Sequence, residues 1–176
     1  QLDDYNAAVK YMNSYKSRGG EMGRVENYIM GYSLYRLARY DEAVEPLRAV
    51  AGADDMLTQN ASYHLADCYL RMGDKQNAMY SFAMSSSDGY DAAIAEDALF
   101  NYGKLQYELG GGVFNEAINV LTRYIEKYPS SERVGEARTL LIAAYYNSNN
   151  YAEAYDAIKS IASPNNDELL ALQKIA

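Results

Sequence analysis

The same short pattern returns five times along this chain. Asp4-Tyr5-Asn6-Ala7-Ala8, Tyr40-Asp41-Glu42-Ala43, Lys75-Gln76-Asn77-Ala78, Phe114-Asn115-Glu116-Ala117 and Tyr151-Ala152-Glu153-Ala154 align on a closing alanine. Those alanines stand 35, 35, 39 and 37 residues apart. Three positions earlier comes Tyr5, Tyr40, Lys75, Phe114 or Tyr151, aromatic in four of the five copies. Four positions later comes Met12, Leu47, Phe82, Leu121 or Ile158, always apolar. A repeat of this length constrains the fold more than any other feature. Each copy is one supersecondary unit that buries its apolar face only by stacking on its neighbours.

About 35 residues hold two helices of roughly 12 to 16 residues and two tight turns. The periodicity agrees, with one amphipathic stretch before each turn, as in Tyr28 to Tyr40 or Ala61 to Met72, and another after it, as in Glu42 to Val50. Gly73-Asp74 reads as a helix stop followed by a start, the glycine taking the left-handed cap and the aspartate the next N-cap. Pro129 with Ser130-Ser131 ends one helix and opens another. Small residues recur twelve positions before the closing alanine at Gly31 and Ala66, and at Gly103 once the Gly111-Gly112 insertion is allowed for. They let two antiparallel backbones approach closely.

Those residues carry a resemblance. Leu65 through Asp74, with Ala78 and Phe82, is similar to the tetratricopeptide repeat (TPR). Met30-Gly31, Leu34, Tyr40, Ala43 and Leu47, and Tyr102-Gly103, Gly110, Ala117, Leu121 and Pro129, follow the same pattern. The resemblance implies an all-α fold, a right-handed TPR-like α-solenoid of antiparallel helix pairs. Its expected division is a half-repeat over about 1–20, pairs over about 21–55, 56–90, 91–130 and 131–165, and a half-repeat over 166–176. A chain starting in a second helix and stopping in a first reads as a fragment of a longer array. Ile142 in place of the small residue, Gln106 in place of Tyr and the long spacings predict altered local packing, with a longer connection around Ser85 to Tyr90. The variable spacing and the stretch from Glu126 to Ser131 also resemble TPR proteins of the bacterial cell envelope, including those of outer-membrane assembly and the Tol-Pal system.

In such a stack the first helix of each pair lines the concave surface. Helical spacing then assigns Tyr28, Tyr32, Tyr35 and Arg36 to the groove from the first pair, and Asn60, Tyr63, Asp67 and Arg71 from the second. Phe100, Lys104 and Tyr107 come from the third, and Thr139 and Tyr146 from the fourth. Tyrosine combines large apolar area, low conformational entropy and a polar tip, which suits protein recognition. The same rings also serve to pack one repeat on the next. Chaperone-binding members of the family hold a C-terminal carboxylate with Lys and Asn at positions that here are Tyr28, Tyr32 and His64, so that clamp is absent.

Composition closes off several functions. The chain has 176 residues, 24 Asp and Glu against 16 Lys and Arg, and a formal charge of −8. That field repels phosphates, so nucleic acid is not an expected partner. One Cys makes no internal disulfide, one His no histidine metal cluster, and no apolar run approaches the roughly 20 residues of a membrane span. His64 and Cys68 lie one turn apart and read as an ordinary helical His beside a small buried Cys, not an activated thiol. Gly110-Gly111-Gly112 lengthens a turn and lacks the Lys-Ser/Thr of a phosphate loop. Asp54-Asp55 and Glu96-Asp97 read as solvated helix starts. No active site and no cofactor are expected. The expected activity is a non-catalytic scaffold for a protein or peptide partner, together with flanking repeats of its own chain. Carbohydrate binding on the tyrosine faces and a purely structural spacer are the alternatives.

Overall fold

The computed structural model describes residues 2–87 and 89–159. The half-repeat expected over 166–176 lies outside them. Among the described residues there are nine helices: α1 (Leu2–Ser17), α2 (Arg24–Arg36), α3 (Tyr40–Arg48), α4 (Met56–Arg71), α5 (Lys75–Ser85), α6 (Ala92–Leu109), α7 (Asn115–Lys127), α8 (Val134–Asn147) and α9 (Tyr151–Lys159). The described residues contain no strand, and the fold is all-α. The chain divides into two compact units, Gln1–Ala98 and Leu99–Ala176.

The repeat pattern maps onto the packing. Ala43, Ala78, Ala117 and Ala154 are at most 1% exposed, and Leu47, Phe82, Leu121 and Ile158 one turn later are buried with them. Gly31 shows why its position is small. A Cβ there would sit 2.7 Å from Leu47 Cγ, so α2 and α3 meet where the first helix carries no side chain. Gly103 does the same in the other unit, against Leu121 Cδ2 at 3.0 Å. Ile142, at the fourth such position, is buried.

One turn geometry closes several hairpins. After α4, Gly73 adopts φ +82° and its N–H bonds Leu70 O at 3.0 Å, while Asp74 N–H reaches Tyr69 O at 2.8 Å. That pair of bonds is the Schellman arrangement, which satisfies carbonyls the ended helix leaves bare. Asp74 then caps α5 by accepting from Asn77 N. The same two bonds recur at Ala38 (φ +57°) and Asn149 (φ +61°). α2 therefore ends at Arg36, and Tyr40 opens α3 instead of closing the preceding stretch, because Ala38 takes a left-handed conformation that no glycine announces. At Pro129 the opening is also displaced. α8 begins at Val134, and Ser131 Oγ accepts from Arg133 N within the turn.

The connection between α5 and α6 (86–91) is not the longer one expected, since that between α3 and α4 (49–55) exceeds it and the added length of this copy lies in the 18-residue α6, but it is fastened from below. Gln59, 1% exposed on α4, donates from Nε2 to Ser87 O at 3.0 Å and more weakly to Ser85 O and Asp91 O, and accepts from Asp91 N at 2.8 Å. Ser85 Oγ returns a bond to Gln59 O at 3.0 Å. In the second unit Leu99, Phe100, Val120, Leu121, Tyr124, Ala137 and Leu141 form the core.

Candidate tyrosine face on α2 and α4

In the first unit α2 and α4 are successive first helices in contact, and their exposed sides carry a connected set of rings. His64 sits at its centre, with ring centroids 4.9 Å from Tyr32, 4.8 Å from Tyr35 and 5.7 Å from Tyr63. Tyr28 stacks on Tyr32 at 5.8 Å and 12° between planes, and Tyr5 of α1 meets Tyr32 edge-on at 6.0 Å. These are the offset and edge-to-face arrangements that ring quadrupoles favour. Tyr28, Tyr32, Tyr35 and Tyr63 are all half-buried.

The phenol tips are wired to the next first helix along. Tyr35 donates to Asp67 Oδ2 at 2.9 Å and Tyr63 to Asp97 Oδ2 at 2.8 Å. Asp97 is therefore a hydrogen-bond acceptor inside α6, not the solvated helix start expected of it. Burial, then the bond to Asp67, pushes Tyr35 up to about 12, and Tyr63 is raised for the corresponding reasons with Asp97. Burial also raises Tyr28. All three stay protonated donors at neutral pH. Burial pushes His64 down to about 4, so the imidazole is neutral, and its buried Nδ1 meets no hydrogen-bond partner among the described residues.

Two arginines edge the rings. Arg36 donates from Nη1 to Tyr32 Oη at 2.9 Å and lies over the Tyr5 ring at 4.8 Å. Arg71 bonds Asp67 Oδ1 at 3.4 Å and lies over Tyr40 at 5.9 Å. Thus Tyr28, Tyr32, Tyr35, Arg36, Tyr63, Asp67 and Arg71 come together. Asn60 does not join them, because its side chain turns back to Met56 O of its own helix at 3.0 Å.

The expected residues of the second unit do not gather into one such cluster. Phe100 is a correction. It is 4% exposed, packed on Tyr124 at 5.4 Å in the core, with Arg133 over its ring at 5.2 Å, and so offers no surface to a ligand. Lys104 pairs with Glu136 at 2.8 Å. Tyr107 packs on Phe114 and accepts from Asn147 Nδ2 at 3.1 Å, Thr139 Oγ1 bonds Gly135 O at 3.1 Å, and Tyr146 is half-buried against Tyr151.

Sequence reasoning missed three participants: Tyr5 and Tyr40, used only as repeat markers, and His64, weighed only as a thiol partner or a clamp position. The signal was present, since Tyr5 and Tyr40 hold the same place in successive copies. Cys68 is fully buried and its thiol is pushed up to about 12, the opposite of activation. Asp55 is not merely solvated. It caps α4 through Thr58 N and takes both oxygens to Arg24 at 2.7 and 2.8 Å.

Among the described residues no cluster of His, Cys, Asp and Glu could hold a metal ion, and no helix is long and apolar enough to cross a membrane. No curated protein sequence matches the chain. Several solved structures resemble it, two of them of MamA. The crystal structure of MamA aligns over 98% of this chain and 91% of its own, with TM-score 0.60 and 18% identity. The MamA MSR-1 C2 structure aligns over 86% and 84%, with TM-score 0.58 and 21% identity. At those identities the likeness bears on the fold alone. Residues 28–92 match one family model described as tetratricopeptide repeat and residues 97–131 match another, together more than half of the sequence. With the five-fold pattern, the buried closing alanines and the helix hairpins they join, these matches show that the chain belongs to the tetratricopeptide repeat family.

Proposed function

We propose that the chain holds an extended segment of a partner protein against the tyrosine face of α2 and α4. Tetratricopeptide repeats mediate protein interactions and are generally non-catalytic scaffolds, so an interaction scaffold is the class of activity. The observation that supports this particular face is the ring network on His64. Four tyrosines are ordered by stacking and by hydrogen bonds yet remain half-exposed. A partner meeting such rings gains apolar contact while the protein loses little further conformational entropy. Nothing in this role requires bond-making chemistry. The protein's contribution is preorganised area.

The test is titration of octapeptides selected from an array into protein carrying ring-13C tyrosine. The largest shifts are expected at Tyr28 and Tyr32, and Tyr28→Ala is expected to abolish binding while the melting transition persists. Peptides that bind without disturbing those two rings would overturn the assignment of this face.

A further inference from the structure

We infer that Arg36 is the anchor for an acidic side chain of the partner segment, so that the recognised peptide carries an aspartate or glutamate beside its apolar residues. The inference rests on the proposed tyrosine face and deepens it.

The argument comes from comparing two copies of one device. Arg36 and Arg71 are each seven residues before a closing alanine, at Ala43 and Ala78. Each guanidinium lies over the tyrosine three before the previous closing alanine, Tyr5 at 4.8 Å and Tyr40 at 5.9 Å. Each also bonds the residue one helical turn before it, and here the copies diverge. For Arg71 that residue is Asp67, a carboxylate that neutralises it. For Arg36 it is Tyr32, a neutral phenol. Arg24, Arg39 and Arg48 likewise pair with Asp55, Glu42 and Glu45. Arg36 instead has no carboxylate partner among the described residues, and the groups set against it are the phenols of Tyr5 and Tyr32.

The phenols tell the same story. Tyr28 and Tyr63 occupy equivalent positions 35 residues apart. Tyr63 is committed to Asp97, whereas among the described residues no hydrogen bond engages the Tyr28 hydroxyl. The α4 copy is satisfied within the chain and the α2 copy is open. Arg36 is also already fixed between Tyr5 and Tyr32, with most of its five N–H donors unused, and a fork held in place is suited to the two oxygens of a carboxylate. It stands one turn beyond Tyr32 and outside the three positions of the family's C-terminal clamp, so a side-chain carboxylate is the occupant assigned.

The test uses fluorescence anisotropy with amidated octapeptides in matched pairs, Asp or Glu in one member replaced by Asn or Gln in the other. Acidic members are expected to bind the wild-type chain more tightly by about tenfold or more, with the preference shrinking as salt rises. Arg36→Gln should erase the preference at unchanged helicity, and Arg36→Lys should restore part of it. Tyr32→Asp, which gives Arg36 the internal partner Arg71 already has, should also erase it. Equal binding of both members, or a preference that survives Arg36→Gln, overturns the anchor and leaves the tyrosine face standing. Binding of a neutral peptide only when its C-terminus is free overturns the side-chain assignment. Failure of every peptide overturns both readings.

Discussion

Tyr35 on α2 donates its phenol hydrogen to Asp67 Oδ2 on α4 at 2.9 Å, joining two first helices across 32 residues of sequence. Tyr63 makes the corresponding bond to Asp97. Burial and then these carboxylates raise both phenols, Tyr35 to about 12. A folded value above the unfolded one of about 10 means that the neutral phenol favours the fold. Its contribution is complete below about pH 10 and is lost as pH rises toward 12. The melting temperature should therefore fall across that interval, and Tyr35→Phe should remove part of the fall. Absorbance at 295 nm checks the premise, since folded protein whose tyrosines all ionise together near pH 10 contradicts it.

His64 gives the opposite sign. Its folded value, near 4, is below the unfolded one of about 6.5. The stabilising form is the neutral one, present in full above about pH 6.5 and progressively lost as pH falls toward 4. Because the chain has a single histidine, its Cε1–H resonance can be followed without assignment. The expected midpoint lies well below 6, and His64→Phe should flatten the stability profile between pH 6.5 and 4.5. A midpoint at the ordinary histidine value would mean the imidazole is hydrated and the ring network open.

The α2–α3 hairpin supports two mirror substitutions. Gly31→Ala forces a methyl to within 2.7 Å of Leu47 Cγ, in a buried contact that has little room to yield. Despite alanine's better helix propensity, a loss of about 1–3 kcal/mol is expected. Ala38→Gly relieves a left-handed alanine at φ +57° and should be neutral or stabilising by up to about 1 kcal/mol. Urea denaturation of both variants checks the pair. A stabilising Gly31→Ala would show that the helices can separate at no cost.

Gln59→Ala removes the amide that serves Ser87 O and Asp91 N. Leaving these part-buried groups without the amide should cost about 1–3 kcal/mol. Hydrogen exchange at the Asp91 amide should accelerate before exchange in α2 does. Unchanged protection there would mean that the connection holds itself.

Much of the fold was legible because it is written five times. Alanine and the apolar residue one turn later identify the hairpin contact whatever surrounds them, and Gly73-Asp74 states its turn openly. Ala38 and Asn149 make the same turn without glycine, so the boundary at Tyr40 slipped. The site was legible in part for a related reason. Helical spacing gives the side of a helix a residue occupies, which puts Tyr28, Tyr32, Tyr35 and Tyr63 on adjoining sides of α2 and α4. It does not give depth. Phe100 shares the register of the groove residues and still lies in the core, because Tyr124 and Arg133 close over it. Gln59 was invisible because its partners are backbone atoms of a connection 26 to 32 residues away.

The connections on either side of α6 differ in what measures their length. Between α5 and α6, one amide on α4 bonds backbone atoms at 85, 87 and 91, so the chain between them is gauged from within and an added residue would pull at least one of these bonds out of register. Between α6 and α7, Gly111 and Gly112 run at φ +56° and +104° in a turn closed only by its own backbone, Val113 N–H to Gly110 O at 2.8 Å, and among the described residues no side chain of another helix hydrogen-bonds it. The 39-residue copy, from Ala78 to Ala117, contains both connections. New loops can be grafted between α6 and α7 without rewriting the interior, whereas grafting between α5 and α6 first requires giving up Gln59.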